Sequence, residues 1–320
     1  MSASSQHTRA LAVLAGVTVI TGMSFVLFKA SVLTQLPFNA GESSWFVAAS
    51  NLAPRFILGV LCLVGLFRGR VLRLTRTEWA QAGFMAVTSF CGCMLQTDGL
   101  QRTSAATTAF LTQFYVILIP LWWAIVHRKR PTVTVLLAGL LVLSGVAVLA
   151  RVDWQTFRVG RGEAEVLMST LFFSLLLCSL NWPAFAKNRA ECSTMGMFLI
   201  EGVLFAVVSV ATVREPGHLL TPYASPAWLV LMVLAAVLGS AGPFLLMNYW
   251  QRFITTTEAG LLYSFCPVLA ALTETFLPAP LSRWIGIDYA NQPLTVSLIA
   301  GGALILGANI VIQLWPQEKT

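Results

Sequence analysis

Apolar residues fall in ten long runs, separated by short segments where arginine, lysine, glycine and proline collect. The runs lie near residues 11–33, 45–67, 79–100, 104–127, 132–150, 163–185, 193–213, 227–250, 257–277 and 294–314. Roughly 20 apolar residues in a helix cross a hydrocarbon core of about 30 Å, and each run meets or approaches that length. The pattern predicts an all-α integral membrane protein with ten transmembrane helices. The first run is too long for the apolar centre of a signal peptide and is followed by no small-residue cleavage site, so it reads as a span.

A weak internal echo divides the chain. Residues 104–120, SAATTAFLTQFYVILIP, return in character as residues 255–267, TTTEAGLLYSFCP. At a separation of 151, Thr112 meets Tyr263, Phe114 meets Phe265 and Tyr115 meets Cys266. A second pair, GLLVLSG at 139–145 and GGALILG at 301–307, is separated by 162, which places an insertion of 11 residues at about 278–293. The echo predicts two repeats, 1–150 and 151–320, of five helices each. Because five is odd, the second repeat enters the membrane from the opposite side. Inverted five-helix repeats of this kind place a substrate site between the halves of a secondary transporter.

Composition sharpens the class. Apolar residues make up 57% of the 320 and charged residues 10%, at a mean hydropathy of +0.77, which excludes a water-soluble domain. The net charge of +7 is distributed as a membrane surface would have it, which argues against a nucleic-acid partner. With the N-terminus inside, twelve of the 20 basic residues fall on the cytoplasmic side: Arg9, Arg68, Arg70, Arg73, Arg76, Arg128, Lys129, Arg130, Lys187, Arg189, Arg252 and Lys319. Six fall opposite: Arg102, Arg151, Arg158, Arg161, Arg214 and Arg283. The bias predicts that both termini are cytoplasmic, in a cell membrane of bacterial inner-membrane type. Five of the six cysteines lie in apolar runs and predict neither disulfides nor a metal site.

Charge inside a span is costly and marks candidate chemistry. Glu201 lies roughly 12 Å along its helix from Ser193, near mid-membrane, and is the first candidate for contacting substrate or carrying a proton. Lys29, Arg55, Asp98 and Glu274 occupy the outward third of their spans and form a candidate gating or charge network, with Arg55 and Glu274 as a pair to test. A static structural network is the alternative reading of these four. Thr108, Thr112 and Tyr115 fall at i, i+4 and i+7 on one helical face, and Tyr263 and Cys266 occupy the corresponding positions of the repeat. These five are candidate cavity-lining residues; interhelical hydrogen bonding is the alternative. Pro120 and Pro267 remove helix hydrogen bonds beside this stripe, and Pro54, Pro183 and Pro243 predict further kinks. Gly139, Gly145, Gly301, Gly302 and Gly307 read as close helix packing.

The chain resembles the EamA-like group of ten-helix carriers in the drug/metabolite transporter superfamily. The resembling stretches are GMSFVLFK at 22–29, Pro54 to Phe56, TSAATTAFLTQFYV at 103–116, and the glycine-framed fifth and tenth runs. The glutamates that relatives often carry after the fourth and ninth spans are absent here: HRKR stands at 127–130 and PAP at 278–280. Thr21 replaces the frequent tryptophan. The resemblance implies export of a small organic metabolite, amino-acid-like or drug-like, by alternating access. Mixed charges among the candidates suit a zwitterion. No phosphate-cradle, zinc-protease or nucleophile-elbow motif is present, so no cofactor and no enzymatic activity are expected, and a proton is the candidate coupling ion. The competing readings are an intramembrane enzyme on a lipid or isoprenoid substrate and a non-transporting regulatory protein of the same fold.

Overall fold

Among the residues that the computed structural model describes, 3–126, 128, 130, 133–149, 159–180, 182–250, 253–254 and 256–314, every regular element is helical. The first is α1, Ala3–Gln35, followed by α2, Ser44–Leu66, and α3, Arg76–Leu100. Side-chain caps fix where helices begin: Ser43 accepts the Phe46 N–H at the start of α2, and Thr75 and Glu78 form a reciprocal capping box on α3. The fourth apolar run is two helices, α4, Ala105–Thr112, and α5, Tyr115–Val126. After them come α6, Val133–Leu149, α7, Arg161–Ser179, and α8, Ala190–Thr212. The next run is α9, Pro226–Ala236, a π-helical turn at Val237–Ala241, and α10, Gly242–Trp250. Helices α11, Thr256–Ser264, α12, Cys266–Glu274, α13, Pro278–Ile285, and α14, Val296–Leu314, complete the described chain. His127, Lys129, Arg151, Arg158, Arg252, Thr255 and Lys319, which entered the sequence reading, lie outside the described residues, as do the predicted span limits 132 and 150.

The expectation of ten transmembrane helices in two inverted five-helix repeats is not met. Among the described residues six helical stretches are long and apolar enough to cross a bilayer: Gln6–Asn39, Ser44–Leu66, Ala105–Val126, Arg161–Ser179, Ala190–Thr212 and Pro226–Met247. They become seven if Leu261–Glu274 and Pro278–Ile285, bent by 55°, count as one span. The remaining runs fail for separate reasons. Helix α3 has the length, at 25 residues, but is laced with Gln81, Thr88, Ser89, Gln96, Thr97 and Asp98. Helix α6 and the stretch Val296–Ile312 are apolar but short. The molecule is thus an all-α, multi-pass membrane protein with fewer complete spans than its hydropathy suggests.

Helices meet closely where glycines remove the side chain. A Cβ on Gly99 of α3 would stand 2.6 Å from the Gly162 carbonyl of α7, and one on Gly22 of α1 would stand 2.9 Å from the Cys266 carbonyl of α12. Gly145 and Gly301 face each other across α6 and α14, each with the other's carbonyl at 2.8 Å from its virtual Cβ. Gly302 admits the Phe110 ring. By contrast Gly307 has no neighbour within 4 Å. Leu61, Leu140 and Val210 are exposed and supply the apolar exterior that a bilayer covers.

Two polar clusters mark opposite ends of α3, whose rise of about 1.5 Å per residue sets Glu78 and Asp98 about 30 Å apart. At one end Arg189 donates to Glu78 Oε1 from Nε, at 2.8 Å, and to Oε2 from Nη2, at 3.0 Å. This guanidinium, with the Thr75 N–H, holds the Glu78 carboxyl down at about 2. At the other end buried Asp98 pairs with Arg161 at 2.8 Å and with Arg102 at 3.6 Å. The α1–α2 and α8–α9 connections are joined by Glu42, which accepts from the Arg214 and Glu215 N–H groups and meets His218 Nδ1 at 2.9 Å. Burial opposes ionisation of Glu42, yet these bonds keep its carboxyl below the ordinary value.

Candidate substrate site

A cavity of about 310 Å³ lies between the N-terminal and C-terminal parts of the bundle. Its polar lining includes Ser24 of α1, Arg55 of α2, Gln96 of α3, Thr108 and Thr112 of α4, and Ser240 of the π turn. Aromatic walls come from Phe28, Phe56, Phe173, Phe198 and Phe244, with Tyr115 at the start of α5. Such a mixture, apolar walls with a few placed polar groups, is what binds small organic molecules.

The threonine stripe is built by local hydrogen bonding. Ser104 caps α4 by accepting the Thr107 N–H. Thr108 donates to the Ser104 carbonyl and Thr112 to the Thr108 carbonyl, both at helical i−4 spacing. Gln96 then donates to Thr112 Oγ1 at 2.9 Å. The chain breaks its helix at residues 113–114, yet Thr108, Thr112 and Tyr115 all still reach the cavity. The second run breaks at the corresponding place, Phe265, between α11 and α12.

Arg55 is the sole charged side chain in the described lining. Its Nε donates to Ser240 Oγ at 2.8 Å and its Nη2 to the Gly239 carbonyl at 3.0 Å. Pro243 has no N–H to offer the carbonyl four residues back, which is that of Gly239. The arginine therefore serves a carbonyl that the proline leaves short of a helical donor, and it holds α2 to the π turn. The Phe28 ring covers the guanidinium at 4.5 Å.

The predicted residues separate into three groups. Thr108, Thr112, Tyr115 and Arg55 line the cavity. Glu201 is fully buried and lies just behind the wall, coupled electrostatically to Arg55 and Cys93, which both line the cavity. Neither Glu201 oxygen is at hydrogen-bond distance from a partner among the described residues, although the Ser89 hydroxyl of the lining is near enough to act on the carboxyl. Tyr263 and Cys266 sit beside Tyr115 but do not line the cavity, and the Tyr263 hydroxyl is buried without a hydrogen-bond partner among the described residues.

The third group is the expected charge network, which the fold divides. Glu274 accepts from the Ala105 and Ala106 N–H groups at 2.8 and 2.7 Å, so a carboxylate from α12 caps the N-terminus of α4. Lys29 donates to the Thr103 carbonyl and feels the Glu274 charge. Asp98 belongs to the Arg161 cluster. Arg55 is not paired with Glu274; its acidic neighbour is Glu201.

Three contributors escaped the sequence reading. Tyr289, from the inserted segment, donates to Glu274 Oε1 at 3.1 Å and presents its ring to Lys29 at 5.8 Å. Ser240 and the π turn carry no periodic signal, although a proline four residues after a glycine was visible. The phenylalanine walls are spread over five helices, so only folding gathers them.

Comparisons with known proteins agree with this architecture. Residues 8–151 match the EamA-like transporter family. An uncharacterized transporter of Archaeoglobus fulgidus is 25% identical over 308 residues, which cover 94% of this chain and 84% of that protein. A protein of known crystal structure is similar in fold, with a TM-score of 0.52 at 20% identity, covering 93% of this chain and 96% of that one. EamA-like proteins are transporters, and these matches support secondary transport across a membrane as the general function. Residues 8–151, a little under half of the chain, are thus similar to an EamA-like transporter domain.

Proposed function

We propose that the cavity beside Arg55 is the substrate site of a carrier that exports a small organic metabolite, amino-acid-like or drug-like, by alternating access. The observation that supports this most is the lining itself: Thr108 and Thr112 from residues 1–150 face Phe173, Phe198 and Ser240 from residues 151–320 across one cavity. Relative movement of the two parts would open that space to either side of the membrane. The basic clusters support an orientation with both termini in the cytoplasm. Glu201, buried beside Arg55 with neither oxygen at hydrogen-bond distance from a partner among the described residues, is the candidate proton carrier.

The test is thermal unfolding of detergent-purified protein against amino acids, nucleosides, sugar phosphates and cationic drugs, since a ligand preferring the native state raises the melting temperature. A stabilising compound should lose its effect when Thr112→Trp fills the cavity, and Glu201→Gln should flatten the pH dependence of its transport in proteoliposomes. Stabilisation that survives Thr112→Trp would remove the cavity from the reading. An unchanged pH profile with full transport would remove Glu201.

A further inference from the structure

We propose that the molecule taken by this cavity is an organic anion: a carboxylate or comparable group received by Arg55, on an aromatic or branched apolar body. The inference rests on the cavity being the substrate site and narrows its chemistry.

The charge inventory carries it. The sequence offered two cations and several carboxylates as candidates, but only Arg55 reaches the described lining, and no acidic side chain does. Arg55 has no carboxylate oxygen within 4 Å among the described residues: Glu201 acts on it from behind the wall, while Asp98 and Glu274 are committed to Arg161 and to the cap of α4. An ammonium group entering the cavity would find hydroxyls and aromatic faces, whereas an anion would find a guanidinium.

The donor geometry fits the same conclusion. A guanidinium has five N–H groups. Nε is spent on Ser240 and one Nη2 hydrogen on Gly239, which leaves the second Nη2 hydrogen and both of those on Nη1. One from each nitrogen makes the end-on fork that receives a carboxylate through two parallel bonds. The anion can therefore bind without breaking the contact between α2 and the π turn. Phe28 packs on the guanidinium face, which fixes the plane of the fork. The remaining walls, Phe56, Phe173, Phe198 and Phe244, suit an apolar body, and a volume of about 310 Å³ restricts it to a small one. An alanine Cβ at position 239 would lie 3.1 Å from Arg55 Nη2, so the glycine keeps room for the arginine's position.

The experiment uses three probes of one shape and different charge, phenylacetate, phenylacetamide and 2-phenylethylamine, titrated to millimolar concentration against the purified full-length protein with melting temperature as readout. Phenylacetate should stabilise saturably, and the amide and the amine should be at least about tenfold weaker, as expected when a hydrogen-bonded charge is lost. Arg55→Gln should abolish the preference. Arg55→Lys, which keeps the charge and loses the fork, should fall between them, and it carries the test if Arg55→Gln does not fold. Absence of stabilisation by phenylacetate, or stabilisation indifferent to Arg55→Gln or Arg55→Lys, would overturn the inference. A probe lost in Thr112→Trp but indifferent to the arginine variants would overturn it while leaving the cavity as the site. If Thr112→Trp leaves every stabilising compound unaffected, both fall.

Discussion

Glu274→Ala should destabilise the protein by about 3 kcal/mol or more, the cost of stranding two buried backbone N–H groups at roughly 1–3 kcal/mol each. The carboxylate is wholly buried, and its two oxygens are the partners of Ala105 and Ala106 at the first turn of α4. Tyr289 would lose its acceptor as well, and Lys29 the charge nearest to it. Because α4 holds Thr108 and Thr112, the damage should spread to the cavity: whatever ligand stabilises the wild type should stabilise the variant less. Glu274→Gln keeps one oxygen acceptor and should lose about half as much. Equilibrium unfolding in detergent measures all three proteins; a loss below about 1 kcal/mol in Glu274→Ala would mean that α4 is capped by something else.

Gly145→Ala and Gly301→Ala should each cost about 1–3 kcal/mol through overpacking, whereas Gly307→Ala should be neutral or gain up to about 1 kcal/mol from helix propensity. All three glycines belong to the same sequence echo. The difference lies in what faces them: the added methyl at 145 meets the Gly301 carbonyl and Ile305, the one at 301 meets Leu149 and the Gly145 carbonyl, and at 307 nothing lies within 4 Å. Backbone atoms cannot step aside as a flexible side chain can, so α6 and α14 must separate. Thermal unfolding of the three variants side by side is the check, and equal effects at 301 and 307 would contradict the close approach.

Much of this arrangement was legible because small residues and polar periodicity are local signals. The glycine echo at 139–145 and 301–307 reported two helices that do pack together, and the Thr108, Thr112, Tyr115 stripe reported a face that does meet a cavity. Hydropathy misjudged the spans because it sums apolarity without seeing breaks or bends. It could not register that α3 keeps Asp98 buried by pairing it with Arg161, 63 residues away, or that the insertion at 278–293 bends into α13 and returns Tyr289 to Glu274. Charge positions were visible and charge partners were not. Glu274, read as one of four residues in a candidate gating or charge network, caps α4, while Arg55, the partner chosen to test with it, is held by a π turn from another helix.

The most direct test is the accessibility of a single cysteine placed at Thr112, in a protein whose six native cysteines are replaced by serine or alanine. A charged, membrane-impermeant thiosulfonate is applied separately to the two faces of the membrane, in right-side-out and inverted vesicles. Modification from both faces, slowed from each by a stabilising ligand, is the result predicted for a carrier that exposes this cavity alternately. Modification from one face only, or from neither, would contradict it.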